Sequence, residues 1–230
     1  MLVVGQISAG KSTLVNALLG EERAETDIAR TTQRFTVHDA EIADLPCRIV
    51  DTVGLDGSAA VRERVVGEME DADLILWAVR ADRPARAPDA ALRAAFDARR
   101  SALPERRFAP VVTVMTFVDR IMPVHELPEG ALDALQRTRL HEAGAAIAAD
   151  LSCPPPVPAR GEAPDWNIPA VVAAVDASLG EALMVQRNRR RLQGDAARSI
   201  WDDAGRAGRG SSSVVSTVGR RWWKGRFSGG

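Results

Sequence analysis

The sequence predicts an α/β domain built on a mostly parallel β-sheet, followed by a basic tail. Short apolar runs alternate with helical patterns along the first three quarters of the chain, as in repeated βαβ units. The run Leu74–Val79 is continuously apolar and Val111–Met115 is apolar except at Thr113, as expected of strands covered on both faces. The pattern changes after Gly180, where arginine-rich and then Gly/Ser-rich sequence follows.

The elements are predicted from apolar runs of strand length and from apolar residues at helical spacing. The strands are predicted at Met1–Val4, Phe35–Ile42, Cys47–Val50, Leu74–Val79, Val111–Met115 and the proline-rich segment Pro154–Pro158. The helices are predicted at Ser12–Leu19, Ala59–Met69, Pro88–Leu103, Glu129–Asp150, Ile168–Leu179 and Glu181–Ala204. The first strand is short for its position, so the sequence is interpreted either as a fragment or as one whose true start lies upstream.

The length suits one α/β domain with an appendage, or two small domains. The 230 residues are 46% hydrophobic and only 4% aromatic, so Ala, Val and Leu must fill most of the core. We predict one domain at residues 1–180 and a basic helix with a flexible tail at residues 181–230. The two cysteines have no metal-ligand spacing, and no uninterrupted apolar run approaches the ~20 residues of a transmembrane helix. The sequence therefore predicts a cytoplasmic protein.

Charge is distributed unevenly. Residues 184–230 carry eleven basic and three acidic residues, a net charge of +8, whereas the whole chain has a net charge of −1. Such a tail favours an anionic partner, either RNA or the inner face of a membrane, where the protein would be peripheral. A solvated tail without such a partner is the alternative interpretation.

The segment GQISAGKS, from Gly5 to Ser12, fits the pattern G-x-x-x-x-G-K-[ST] between a predicted strand and a predicted helix. Glycines let the backbone wrap around phosphate oxygens, and the N–H groups at the helix N-terminus attract the anion. Lys11, one of only two lysines, is predicted to reach the β- and γ-phosphates, and the Ser12 hydroxyl to bind Mg²⁺. The predicted nucleotide-binding residues here are Gly5, Gln6, Ile7, Ser8, Ala9, Gly10, Lys11, Ser12 and Thr13. The motif alone does not separate GTP from ATP.

A second motif, Asp51-Thr52-Val53-Gly54, ends an apolar strand and resembles the D-x-x-G motif of GTPases. A carboxylate there can hold Mg²⁺, and the Gly54 N–H can bond the γ-phosphate and be released after hydrolysis. Related GTPases use a loop threonine as another metal ligand, which favours Thr32 over an ordinary loop role. The resulting metal ligands are Ser12, Thr32 and Asp51, and the catalytic residues are Lys11, Thr32 and Gly54.

A third motif, the segment TFVD at residues 116–119, follows the strand Val111–Met115 and resembles the guanine-reading [NT]-K-x-D motif. The Asp119 carboxylate can accept hydrogen bonds from guanine N1–H and the exocyclic amine. Phe117 replaces the lysine whose stem covers the base, and a phenyl ring can also stack there. The predicted base-binding residues are Thr116, Phe117 and Asp119. An acidic helix cap without base contact is the alternative for Asp119.

Ala159 lies in a segment, VPAR, that is similar to the S-A-[KR] motif of the same proteins. The likeness implies that its N–H contacts guanine O6, although Pro158 departs from the pattern. Together, GQISAGKSTLVNALLG, the threonine pair with Thr32, DTVGLDG, DADLILWAV and TFVD resemble bacterial Era-like GTPases, in particular the YfjP/YeeP type with T-x-x-D in place of N-K-x-D. The resemblance covers Met1 to Leu179.

The resemblance implies a Ras-like P-loop GTPase fold with a six-stranded, mostly parallel sheet and five flanking helices. It also implies binding of GTP or GDP with Mg²⁺ and slow hydrolysis of GTP to GDP and phosphate. Leu55 stands where Ras-type enzymes have a water-positioning glutamine, so low intrinsic turnover is expected.

Three functions are consistent with these motifs. The first is a switch GTPase whose GTP state binds an effector that the sequence does not identify. The second is a degenerate nucleotide-binding scaffold without productive hydrolysis, which Phe117, Pro158 and Leu55 favour and which the intact phosphate loop opposes. The third is an ATP-using P-loop protein, against which Asp119 argues.

Overall fold

The computed structural model describes residues 1–20, 35–42, 45–122 and 132–207, with side chains up to residue 195. The strands are β1 Leu2–Val4, β2 Thr36–Ile42, β3 Leu45–Asp51, β4 Ile75–Arg80, β5 Val111–Thr116 and β6 Val157–Pro158. The helices are α1 Lys11–Leu19, α2 Ala59–Asp71, α3 Ala87–Ala102, α4 Ala134–Leu151 and α5 Ile168–Ala207.

The strands form one sheet in the order β2-β3-β1-β4-β5-β6. The pairings of β1 with β3 and β4, of β4 with β5 and of β5 with β6 are parallel, and β2 runs antiparallel to β3. The predicted six-stranded, mostly parallel sheet is thereby confirmed. Strand β6 has only two residues, since the prolines around it cannot donate to a ladder.

Helices cover both faces of the sheet, which explains why all six residues of β4 are buried. On one face, α2, α3 and α4 contribute Met69, Phe96 and Ile147 to the core. On the other face, α1 and α5 contribute Leu14 and Val171. The first residues after β1, β3, β4 and β5 therefore meet at one edge of the sheet, the carboxyl edge of its parallel strands, where the three motifs lie.

Helix α5 is continuous from Ile168 to Ala207, so the predicted break at Gly180 is wrong. A glycine inside a helix costs about 1 kcal/mol relative to alanine, which the surrounding Ala and Leu residues tolerate. By contacts, the chain divides into two compact units, Met1–Asn188 and Arg189–Gly230. The first unit holds the sheet, and residues 189–207 of the second are helical.

Helix α5 is more apolar on average than its short uninterrupted apolar runs indicate. An 18-residue window within Ile168–Asp195 has a mean hydropathy of 1.7, so this helix is long and apolar enough to cross a membrane by length and composition alone. Val171 and Val175 of the same segment are buried in the core of the first unit. Packing against a sheet accounts for their apolar character without a membrane.

Candidate nucleotide-binding site

The first motif forms the loop between β1 and α1. Gly5 has φ 148°, and a Cβ there would lie 2.3 Å from the Ala78 carbonyl oxygen, so no other residue fits. The Ile7 N–H donates to the Leu55 carbonyl at 3.1 Å, so this N–H does not point to a phosphate. The first turn of α1, residues 11–13, has no intrahelical acceptors for its N–H groups and is left to bind an anion.

Lys11 is 6% exposed, and its Nζ donates to the Gln6 carbonyl at 3.0 Å. Burial lowers the pKa of Lys11, whereas the nearby carboxylates of Asp51 and Asp89 act in the opposite direction. A buried ammonium that donates to a backbone carbonyl of the loop keeps further N–H donors, which phosphate oxygens can accept.

The carboxylate of Asp51 lies at the end of β3 and is 2% exposed. Its Oδ2 accepts a hydrogen bond from the Ser12 hydroxyl at 2.5 Å. Its Oδ1 is buried and has no hydrogen-bond partner among the described residues. Burial raises the pKa of Asp51, with the Ser12 hydrogen bond and the Lys11 charge opposing it. A hydroxyl and a carboxylate with an unused oxygen form a donor set that suits Mg²⁺.

The second motif packs directly against the phosphate loop. A Cβ on Gly54 would lie 2.6 Å from the Ile7 Cα, so glycine is required for this approach. The next residue, Leu55, donates its N–H to the Gly5 carbonyl at 3.1 Å and forms a parallel bridge with Gln6. The Leu55 side chain is buried in the core, so it cannot orient a water molecule for attack on phosphate.

Replacing Gly54 with alanine is expected to destabilise the domain by about 1–3 kcal/mol, because the new methyl group overlaps the backbone of Ile7. Urea unfolding measures the effect. The control is Gly67→Ala in α2, where nothing lies within 4 Å of the added Cβ. This second change is expected to stabilise by about 0.5–1 kcal/mol, as for any exposed helical glycine. Equal effects of the two changes would contradict the close packing of Gly54.

The third motif is tied to the phosphate loop through its first residue. The Thr116 hydroxyl is buried and lies 2.8 Å from the Ala9 carbonyl and 3.2 Å from the Val79 carbonyl. Asp119 follows in a short 3₁₀ turn and is partly exposed. Within the described part of the chain, its carboxylate has no hydrogen bond or ion pair. This carboxylate is therefore free to accept from a base.

Two predicted site residues need separate comment. The Ala159 N–H donates to the Met115 carbonyl at 2.9 Å, so the predicted contact of this N–H with guanine O6 is wrong for this structure. The reason is the parallel register that pairs Met115 with Pro158, which makes the next N–H part of the sheet. Thr32 lies outside the described residues.

The sequence analysis assigns no role at the site to Asp89, Trp77 or Arg80, and it predicts Gln6 only as part of the phosphate loop. Asp89 of α3 is buried and accepts from Trp77 Nε1 at 2.9 Å and from Gln6 Nε2 at 2.6 Å. Arg80 lies at the end of β4, where its guanidinium contacts the phosphate loop. An acidic residue after a proline at a helix start is ordinarily a cap, so no signal in the sequence marks Asp89 as a partner of the loop.

The phosphate loop with its buried lysine, the Asp51 carboxylate and the segment 116–119 lie at one edge of the sheet. This arrangement is that of a P-loop GTPase of Ras-like fold. The 50S ribosome-binding GTPase family matches residues 1–115, half of the chain, and the chain belongs to this family. The chain resembles the tRNA modification GTPase MnmE of Aquifex aeolicus, with 42% identity over 89 residues, 36% of this chain and 20% of the relative. MnmE of Xanthomonas oryzae is 43% identical over 104 residues, 42% of this chain and 23% of the relative. The chain therefore spans about a fifth of these relatives.

Solved structures support the same fold. Era of Aquifex aeolicus bound to GDP and AlF4− superposes with a TM-score of 0.60 at 20% identity, covering 77% of this chain and 55% of the other. Era in complex with MgGDPNP and a 16S ribosomal RNA fragment gives the same values. A probable GTP-binding protein engB has a TM-score of 0.53 at 15% identity, covering 78% of this chain and 98% of the other.

Proposed function

We propose that this GTPase is a slow molecular switch, which binds GTP and GDP with Mg²⁺, hydrolyses GTP to GDP and phosphate, and contacts an effector in one nucleotide state. The observation that carries the proposal is the unused Oδ1 of Asp51, buried beside the Ser12 hydroxyl and near Lys11. An unpaired buried carboxylate oxygen is costly unless a cation joins it.

The residues would divide the work as follows. Lys11 and the first-turn N–H groups of α1 bind phosphate oxygens and stabilise the charge that develops during hydrolysis. Ser12 and Asp51 hold Mg²⁺, with Thr32 proposed as a further ligand. The metal supplies Lewis-acid stabilisation of phosphate charge when bound. The backbone N–H of Gly54 contacts the γ-phosphate, and the buried Leu55 leaves water positioning to another group, which accounts for slow turnover.

Guanine selectivity is assigned to Asp119, whose carboxylate matches the paired donors of guanine and lacks the donor that adenine requires. Thr116 supports this segment through its hydrogen bond to the phosphate loop. Phe117 is the residue that replaces the usual lysine. This combination supports placing the chain among Era-like proteins of the YfjP/YeeP type, with T-x-x-D in place of N-K-x-D.

The organisation and partners of the whole chain are part of the same proposal. We assign the GTPase domain to residues 1–180 and a basic helical and flexible tail to residues 181–230, in a cytoplasmic protein. The net charge of +8 on residues 184–230 favours RNA as the tail's partner, and one Era structure of this fold contains a 16S ribosomal RNA fragment. Peripheral binding at the inner face of the membrane is the alternative outcome of a binding test.

A competition assay with fluorescent GDP and Mg²⁺ tests the proposal. GDP is expected to displace the probe, excess ATP is not, and Asp119→Ala should lose this preference. Asp97→Ala is the matched control, because Asp97 is a half-exposed carboxylate on α3 that pairs with Arg93. Equal competition by ATP, or no binding, would overturn the guanine assignment. If GTP is supplied instead and binds without releasing phosphate over many hours, the degenerate scaffold is favoured, which Phe117, Pro158 and Leu55 support.

A further inference from the structure

The geometry points to Arg80 as a positioning residue of the nucleotide site. Together with Phe117, it takes over the part of the lysine that is missing from the segment 116–119. This inference rests on the proposed function, since it concerns how the same site holds a guanine nucleotide. Neither residue carries a signal for this pairing in the sequence, because Arg80 lies at the end of β4 and Phe117 follows β5.

The Arg80 guanidinium is buried and held on three sides. It is 9% exposed, and its Nη1 donates to the Ser8 carbonyl of the phosphate loop at 3.0 Å. Its Nε and Nη2 donate to the two carboxylate oxygens of Asp82 at 2.8 and 2.6 Å. A two-pronged pair of this kind orients a guanidinium more strictly than a single contact. Arg80 therefore holds a fixed guanidinium, paired with Asp82, against the phosphate loop.

The same guanidinium packs on the ring of Phe117. Its central carbon lies 3.8 Å from the ring centroid, well within the range of a cation–π contact. Phe117 has a left-handed backbone conformation with φ 56°, which few residues other than glycine adopt. A Cβ added to Gly10 would lie 3.4 Å from the ring's Cε2, so the ring also packs against the phosphate loop.

These contacts join two segments that a nucleotide must bind at once. The phosphate loop is held at the Ser8 carbonyl by Arg80 and at the Ala9 carbonyl by Thr116. The base-reading segment is held through the Phe117 ring, which contacts Arg80 and lies close to Gly10. A lysine in a base-reading motif supplies an apolar stem and a positive charge from one side chain. Here the ring supplies the apolar surface, and Arg80 supplies the buried charge. The Arg120 guanidinium also lies over the ring, 4.8 Å from its centroid, but this side chain is 53% exposed, so solvent screens its charge more strongly.

Because Phe117 and Arg80 share the two roles of the lysine, the effect of a positive charge at position 117 on nucleotide binding can be predicted. A lysine at position 117 would place its ammonium beside the guanidinium of Arg80, and the two cations would repel each other at a partly buried site. Restoring the usual lysine should therefore weaken nucleotide binding as long as Arg80 is present. Removing Arg80 at the same time should relieve the repulsion and leave room for the lysine.

The test compares Arg80→Ala, Phe117→Lys and the double variant for GDP affinity and for preference over ADP. Each single change is expected to weaken GDP binding about tenfold, the worth of a charge-assisted hydrogen bond or a buried cation–π contact. The double variant is expected to recover to within about threefold of the wild type. Arg93→Ala is the matched control, because Arg93 forms a similar pair with Asp97 on α3. Its GDP affinity should equal that of the wild type.

The outcomes separate this inference from the proposed function. If the wild type binds no guanine nucleotide, the proposed function fails. If the wild type prefers GDP and Arg80→Ala binds equally well, the inference alone is wrong. Losses that simply add in the double variant also overturn it. If thermal unfolding shows that Arg80→Ala is not folded, the GDP affinity of Arg80→Lys is measured in its place. That variant keeps a charge but loses the planar pairing with Asp82 and the ring, and intermediate affinity is expected.

Discussion

Lys11→Ala is expected to lower single-turnover GTP hydrolysis by about 10²- to 10³-fold, the usual cost of removing one donor that stabilises transition-state charge. GTP binding should weaken as well, since a charged hydrogen-bond donor is lost from a buried site. The physical reason is the position of the Lys11 ammonium, which is buried at the phosphate loop with the Gln6 carbonyl as its acceptor. Phosphate release with enzyme in excess over radiolabelled GTP gives the rate.

The chain offers a matched control for this change. Lys224 is the only other lysine in the sequence, so Lys224→Ala removes the same group from the basic tail. Hydrolysis by this variant should equal that of the wild type. Lys11→Arg should hydrolyse slowly too, because the guanidinium is wider than the ammonium that the loop encloses. Unchanged hydrolysis in Lys11→Ala, with the fold intact by circular dichroism, would remove the phosphate loop from the mechanism.

Asp51→Asn is expected to abolish the Mg²⁺ dependence of nucleotide binding and to reduce hydrolysis by about 10²-fold or more, since metal stabilisation of phosphate charge is worth several kcal/mol. The neutral amide keeps the size of the side chain and can still accept from the Ser12 hydroxyl. Thermal unfolding with a non-hydrolysable GTP analogue, with and without Mg²⁺, measures the effect. The wild type should gain stability from Mg²⁺, and the variant should not.

The stability of the nucleotide-free protein and its gain from Mg²⁺ should depend on pH in opposite directions. Burial raises the pKa of Asp51, so the nucleotide-free fold favours the protonated carboxyl. The protonated Asp51 carboxyl contributes fully to folding stability below its pKa in the unfolded chain. This contribution is lost as the pH rises through the higher pKa of the folded state. The gain from Mg²⁺ must run the other way, because the metal binds the ionised form. In Asp51→Asn both trends should shrink, while Asp97→Asn should keep them. A full Mg²⁺ response in Asp51→Asn would exclude this carboxylate as a ligand.

The sequence predicts the sheet well because strand and helix periods are local signals. The buried run at β4 and the motif after β1 identify a parallel sheet and its carboxyl edge without knowledge of contacts. The break at Gly180 was wrong because one glycine is a weak signal beside good helix formers. The start of α4 at Ala134, after the cap formed by Asp133 and Gln136, depends on side-chain geometry that periodicity does not contain.

The site residues likewise include some that local sequence signals predict and others that depend on long-range packing. Lys11, Ser12 and Asp51 meet as expected, since their roles follow from a loop at a strand end. The wrong contact assigned to Ala159 depends on strand register, which fixes the direction of each N–H. Arg80 reaches the phosphate loop from β4 and Phe117 from the end of β5, so its contribution arises only when β4 lies beside both β1 and β5. Long-range contacts of this kind are set by packing and not by sequence spacing.

The bridge between the phosphate loop and the segment after Asp51 has a consequence for amide hydrogen exchange. The Ile7 and Leu55 amide protons are both committed to hydrogen bonds across this bridge, to Leu55 and Gly5 respectively. Neither proton can exchange with solvent unless the two strands of backbone separate, so both report one opening event. Although they are far apart along the chain, these amides share an opening free energy and measure how tightly the segment after Asp51 is held to the phosphate loop.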